Sequence, residues 1–318
     1  MDRRALLTSA TALALTASLP GSLAAASARK AVVLSTDCGA DIDDQWVLAH
    51  LALSPEMNLL AVIGSHASSI GLTAADAAAN ARDVLRRIPA SARNARPVIV
   101  AGSERLLADA GPARASAGSD LLLRLSRRFT RLRRLVVLVT GAATDLATAL
   151  ALDPTLADRI EVVAMAFDDW PGGGDVFNVK NDPAAWRALL ASDVPLTVGS
   201  SALTLRTLRL SGAEVERLVR PHGPVGEFLA RIYRDWLDRQ AALAARVVGA
   251  GEWVVWDEVV VAHCLGLTRG ERLPRPVLGP DLRFEPGASD RTLTWLREVD
   301  SKALWRDLKR KLDRSHGR

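Results

Sequence analysis

The stretch Ala31-Val32-Val33-Leu34-Ser35-Thr36-Asp37-Cys38-Gly39-Ala40-Asp41-Ile42-Asp43-Asp44 decides how the chain is read. A short apolar run, Ala31–Ser35, passes through a glycine-bearing turn into a helical pattern over 43–53 that stops at Ser54-Pro55. Strand, turn and helix open a βαβ unit, and an unbroken apolar run marks a strand buried on both faces. Four carboxylates, Asp37, Asp41, Asp43 and Asp44, stand within eight residues of that turn. Helix capping uses one or two acids, each contributing about 0.3–1 kcal/mol. Four crowded carboxylates repel and raise one another's pKa unless a cation neutralises them. An all-carboxylate donor set favours a hard ion, Ca²⁺ or Mg²⁺, over zinc.

The same alternation continues outward. Apolar runs recur at Leu59–Ile63, Val98–Ala101, Leu135–Val139, Ile160–Ala166 and Leu196–Val198, with helical patterns between them at about 73–88, 119–132, 144–152 and 183–191. After residue 205 the pattern is mostly helical, with a long segment from Val225 to Val247 and another helix beginning at Asp257. A stretch with Pro274, Pro276, Pro280 and Pro286 reads as loop and edge strand before a terminal helix. The expected fold is α/β: an open, doubly wound, mostly parallel sheet with helices on both faces and a helical C-terminal part. Chemistry in such sheets gathers at the carboxyl ends of the strands, here Asp37–Asp44, Ser65–His66, Thr140–Asp145 and Phe167–Asp169.

Composition narrows the function classes. Of 318 residues, 49% are hydrophobic and 24% charged, which excludes a disordered chain. Two cysteines exclude a disulfide scaffold and a four-cysteine zinc module; whether Cys38 and Cys264 pair is open at this stage. The net charge of +5 invites a nucleic-acid reading, but residues 302–318 hold seven basic and two acidic side chains, which accounts for the whole excess. The charge therefore belongs to a basic tail, and no nucleic-acid partner is expected. Arg124, Arg127, Arg128, Arg131, Arg133 and Arg134 read as the solvated side of an amphipathic helix.

Residues 1–28 read as an export signal: Arg3-Arg4, an apolar stretch from Ala5 to Leu23, then Ala26-Ser27-Ala28 as a small-x-small cleavage pattern. The paired arginines fit the twin-arginine type, with Sec export open. The expected product is one exported domain over 29–318, periplasmic or secreted, without a transmembrane segment.

The aspartate turn, with Ala40-Asp41 ahead of the Asp43-Asp44 pair, resembles the signature of the inosine/uridine-type nucleoside hydrolases, calcium-dependent N-ribohydrolases. Further similar elements follow in order: Asn80-Ala81 with Leu85, Pro97-Val98 with Ala101-Gly102, Thr140–Leu146, Phe177-Asn178 before Asp182-Pro183, and Trp256-Asp257. The resemblance covers roughly 31–267. It implies that Asp37, Asp44 and Asp257 bind Ca²⁺ together with the backbone carbonyl of Thr144. It also implies that Asp37 accepts the proton of the attacking water, and that Asp43, Asn178 and, less firmly, Asn80 line the ribose. Trp256, in a place where some members carry a histidine, resembles the purine-specific branch, in which a tryptophan stacks on the base. The implied partner is a small nucleoside, and the implied assembly a homodimer or homotetramer.

The residues also depart from the pattern. Val176 stands where the family has a ribose-binding glutamate, Ala166-Phe167-Asp168-Asp169 replaces Met-Gly-Gly, and Ser65 replaces an asparagine. No His-Gly…Gly loop is recognisable near 111–120. These departures motivate the alternative of an exported nucleoside-binding or degenerate hydrolase-like protein without turnover. Taken singly, Asp257 and Thr144 also suit helix caps, Asn178 a turn and Trp256 the core, while Asp182 before Pro183 reads as an N-cap only.

Overall fold

The structure, a computed structural model, describes residues 29–107, 112–174, 176–285 and 290–316. The expected export signal, residues 1–28, lies outside them. The first half alternates strictly: β1 (Lys30–Thr36), α1 (Asp43–Leu53), β2 (Met57–Gly64), α2 (Ala74–Arg87), β3 (Val98–Ala101), α3 (Ala117–Ser126), β4 (Leu135–Thr140), α4 (Thr144–Leu152) and β5 (Ile160–Met165). Then come α5 (Phe177–Lys180), α6 (Pro183–Ala191), β6 (Leu196–Gly199), α7 (Ser201–Thr207), β7 (Arg209–Ser211), α8 (Gly212–Leu218), α9 (Gly223–Arg239), α10 (Ala241–Val247) and β8 (Glu252–Val254). The chain closes with α11 (Glu258–Cys264), β9 (Thr268–Pro274), β10 (Val277–Leu278), β11 (Phe284–Glu285), β12 (Thr292–Val299) and α12 (Ser301–His316).

Eight strands share one sheet in the order β3-β2-β1-β4-β5-β6-β12-β9, parallel throughout except for the β12–β9 pair. Every residue of β4 is buried, as are Val32, Val33 and Leu34 in β1, so helices cover both faces of the sheet centre. The winding direction reverses between β1 and β4, and the carboxyl ends at such a switch point are where open α/β sheets have their binding crevice. Two glycines let the chain close around it. A Cβ on Gly141 would fall 2.3 Å from Ser65 Oγ and 2.8 Å from the Asp37 nitrogen. Gly39 adopts φ +106°, in the left-handed half of the map that L side chains avoid.

Several boundaries differ from the sequence reading. The helix read at 119–132 ends at Ser126; Thr130 and Arg133 then bond to each other in a turn. Only Arg124 of the arginine run is helical. The others lie beyond Ser126, where Arg131 pairs with Asp158 at 2.7 Å, so the run is solvated but not one helical face. The segment Val225–Val247 is two helices that break at Gln240. The Pro-rich region supplies the antiparallel edge strand β9, as read, but β12 enters the sheet between β6 and β9. The basic tail is a packed amphipathic helix: Leu304, Leu308, Leu312 and even Lys311 are buried. Both cysteines are buried free thiols. No described helix is long and apolar enough to cross a membrane.

Candidate functional site

Carboxylates gather at this switch point because β1 ends at Thr36, directly before Asp37, and α1 begins with Asp43 and Asp44. Asp37, Asp43, Asp44 and Asp257 are all buried, although they stem from two segments more than two hundred residues apart. One carboxylate oxygen each from Asp43, Asp44 and Asp257 falls within 4.8 Å of the others, a group that could hold a metal ion. Asp37 stands beside this triplet, outside it. Asp257 sits at the N-cap of α11 without a side-chain capping bond, so its carboxylate is free to face the cluster.

Neighbouring donors fix the cluster. Thr36 and Thr140, the last residues of β1 and β4, both donate their hydroxyls to Oδ1 of Asp44, the latter at 3.0 Å. Asp43 accepts from the backbone nitrogens of Asp44 at 3.2 Å and Asp257 at 3.3 Å, which joins α1 to α11. Asp41 accepts from its neighbour's nitrogen and from Trp253 Nε1 at 2.7 Å. Oδ2 of Asp37, by contrast, is buried without a partner.

Electrostatics point the same way. Burial, and then the charges of Asp44 and Asp43, hold Asp37 well above the usual carboxylate range. Burial likewise raises Asp43, with the charges of Asp41 and Asp44 adding to it, and Asp257, with those of Asp43 and Asp44. Asp44 is raised by burial, offset in part by its two threonine bonds, and Asp41 is pushed up to about 8 by burial. Buried carboxylates this close are unfavourable as anions until a cation sits among them. An orphaned carboxylate oxygen and an all-oxygen donor set fit a hard divalent ion.

The remaining sequence-derived residues divide. Thr144 does not cap α4; Ala143 holds that position. Its hydroxyl instead donates to Asp182 Oδ2 at 2.6 Å and lies 3.1 Å from His66 Nε2. Asp182 is an N-cap, as read, accepting from the Ala185 nitrogen, but it also braces Thr144. Asn80 donates to the carbonyl of Cys38 at 2.9 Å, so it props the aspartate turn from behind. Asn178 is buried at α5 and donates to the Met165 carbonyl at 3.0 Å. Trp256 is half-buried and meets Trp253 edge-on at 6.1 Å; Trp253 in turn packs on Trp236 at 5.5 Å. Val176 is buried with the core.

One pairing escapes the sequence reading. Trp253 anchors Asp41, a pairing across 212 residues that no local pattern signals. Ser65 and His66 stand at the carboxyl end of β2, a position the strand-end rule does mark, and Ser65 Oγ and His66 Nδ1 are both buried without partners. His66 Nε2 lies 3.1 Å from the Thr144 hydroxyl, which itself donates to Asp182, so the ring is tied to α4 through one nitrogen only.

No protein of curated function matches the chain. Among solved structures, a plant nucleoside hydrolase, PpNRh1, superposes with a TM-score of 0.71 at 17% identity, over 89% of this chain and 99% of that one. A purine-preferring ribonucleoside hydrolase from Gardnerella vaginalis gives 0.71 at 19% identity, over 90% and 99%. An inosine-uridine preferring nucleoside hydrolase from Bacillus anthracis gives 0.64 at 16% identity, over 89% and 99%. At such identities the likeness is one of fold. The family model for inosine-uridine preferring nucleoside hydrolases matches residues 32–282, a span that contains every carboxylate of the crevice, and the chain belongs to that family of enzymes acting on N-glycosidic bonds.

Proposed function

We propose that this chain hydrolyses the N-glycosidic bond of ribonucleosides, with a preference for purines, in a Ca²⁺-dependent reaction. The observation that carries the reading is the unpartnered Oδ2 of Asp37 inside a buried carboxylate cluster. Asp37, Asp44 and Asp257, with the Thr144 carbonyl, would hold the ion; Asp43 is close enough to share it. When bound, calcium supplies the positive charge that neutralises the cluster and makes nearby water more acidic.

The chain's own residues do the rest. Asp37 accepts the proton of the attacking water through the oxygen that lacks a partner. Asp43 and Asn178 grip the ribose hydroxyls and orient the anomeric carbon. The surrounding carboxylates stabilise the positive charge that develops on the sugar as the bond to the base breaks. Trp256, backed by Trp253, offers the base an aromatic wall, which supports the purine preference. The N-terminal signal pattern supports export, and assembly as a homodimer or homotetramer belongs to the same reading.

The test is release of ribose and free base from inosine, adenosine, guanosine, uridine and cytidine. Calcium and nucleoside binding without ribose release would favour a binding protein instead.

A further inference from the structure

His50 lies in α1, six residues after Asp44, and is fully buried. Its Nδ1 is 2.9 Å from Glu258 Oε2, and its Nε2 is 3.0 Å from Asp307 Oδ2. A neutral imidazole has one N–H and one lone pair, so one nitrogen would turn its lone pair on a carboxylate. A doubly protonated ring donates on both sides, and the surroundings allow that charge. Glu258 is itself fully buried on α11, and Lys311 of α12 contacts Asp307 and lies 3.2 Å from Glu56 and 2.7 Å from Ser54 Oγ. Arg310 pairs with Asp307 from the outer side. Two buried carboxylates thus face two buried cations, the balance that a charged cluster in the interior requires.

This network shares its two helices with the carboxylate cluster. α1 begins with Asp43 and Asp44; α11 is preceded by Asp257 and begins with Glu258. Val259, Val260 and Val261 seat α11 in the core, and no side-chain cap holds its start; two polar links then join that start to α1, the Asp257 nitrogen bonded to Asp43 and Glu258 bonded to His50. We propose that His50 and Glu258 are a positioning pair that sets the spacing of Asp257 from Asp43 and Asp44, and thereby the affinity for a divalent cation. Neither residue belongs to the group Asp43, Asp44 and Asp257 that could hold the ion. The inference rests on the metal reading above and adds the residues that tune it.

The test is calorimetric titration of CaCl₂ into the chelator-stripped protein and its variants. His50→Gln and Glu258→Gln are expected to weaken calcium binding about tenfold or more. Their kcat at saturating calcium should return to within about threefold of the original, because affinity is lost and chemistry is not. Leu308→Ala, which opens a cavity in the α12 packing and removes none of the hydrogen-bonding groups of the network, should lower the melting temperature yet leave calcium affinity within about twofold. Unchanged affinity in His50→Gln and Glu258→Gln, or an equal loss in Leu308→Ala, would overturn the proposal while leaving the metal reading intact. Absence of calcium binding in the unsubstituted protein would overturn both. Should His50→Gln not fold, Asp307→Asn is expected to weaken binding about threefold, and an unchanged affinity there counts against the pair.

Discussion

The indole nitrogen of Trp253 donates to Oδ2 of Asp41 at 2.7 Å, tying β8 to the aspartate turn across 212 residues of sequence. Asp41 is the one carboxylate of the turn whose oxygens are both occupied by donors from outside the metal triplet. It therefore holds Trp253, which packs between Trp236 and Trp256.

Asp41→Ala should accordingly cost about 1–3 kcal/mol, because it leaves a largely buried indole N–H without an acceptor. It should also raise KM for purine nucleosides more than it lowers kcat. Urea denaturation and steady-state kinetics on the same variant check both parts.

Trp256→Ala tests the purine preference separately. Loss of an aromatic contact of about 0.5–1.5 kcal/mol, together with its buried area, should lower kcat/KM for purine nucleosides about tenfold and for pyrimidine nucleosides much less. Equal effects on both classes would end the purine reading.

Calcium should stabilise the folded protein strongly, because it replaces repulsion among buried carboxylates with attraction. At a free concentration of about 100 Kd, a ligand specific to the native state adds about 2.7 kcal/mol. Thermal melts in calcium and in chelator should differ accordingly, and Asp257→Asn should shrink the difference. A melt that ignores calcium would contradict the site.

The His50 network predicts a pH signature of its own. Burial, the largest influence, pulls the His50 pKa down, but the Glu258 charge and the bonds to Asp307 and Glu258 together raise it above the ordinary histidine value of 6.5. A histidine raised on folding contributes stability that is complete below its unfolded pKa and is lost as pH rises through the folded one. Stability measured by urea denaturation should therefore fall above about pH 6.5 more steeply in the original protein than in His50→Gln. Asp307 acts at the other end. Burial raises it, but the His50 and Lys311 bonds outweigh burial and lower it, so its contribution is lost only in acid.

What could be read from the sequence follows the range of each interaction. The strands β1 to β6 and the helix after the aspartate turn are legible because apolar runs and caps act over a few residues. The carboxylate turn is legible for the same reason: four acids in eight residues exceed what capping uses. Asp257 becomes credible only as one of a set, since its local context is that of a helix start. The end of α3 at Ser126 is not legible, because Thr130 and Arg133 close a turn where helical spacing of apolar residues still continues. The place of β12 in the sheet pairs Thr294 with Thr197, and the Asp41–Trp253 bond and the His50–Glu258–Asp307 chain join residues more than two hundred positions apart. Only the folded chain brings them together.

The most direct test of the central claim is ribose released per unit time from a purine nucleoside, measured with calcium, with chelator, and for Asp37→Ala in calcium. The structure predicts turnover only in the first case, and a loss in Asp37→Ala of about 10²-fold or more. Turnover that persists in chelator, or that survives in Asp37→Ala, would contradict it.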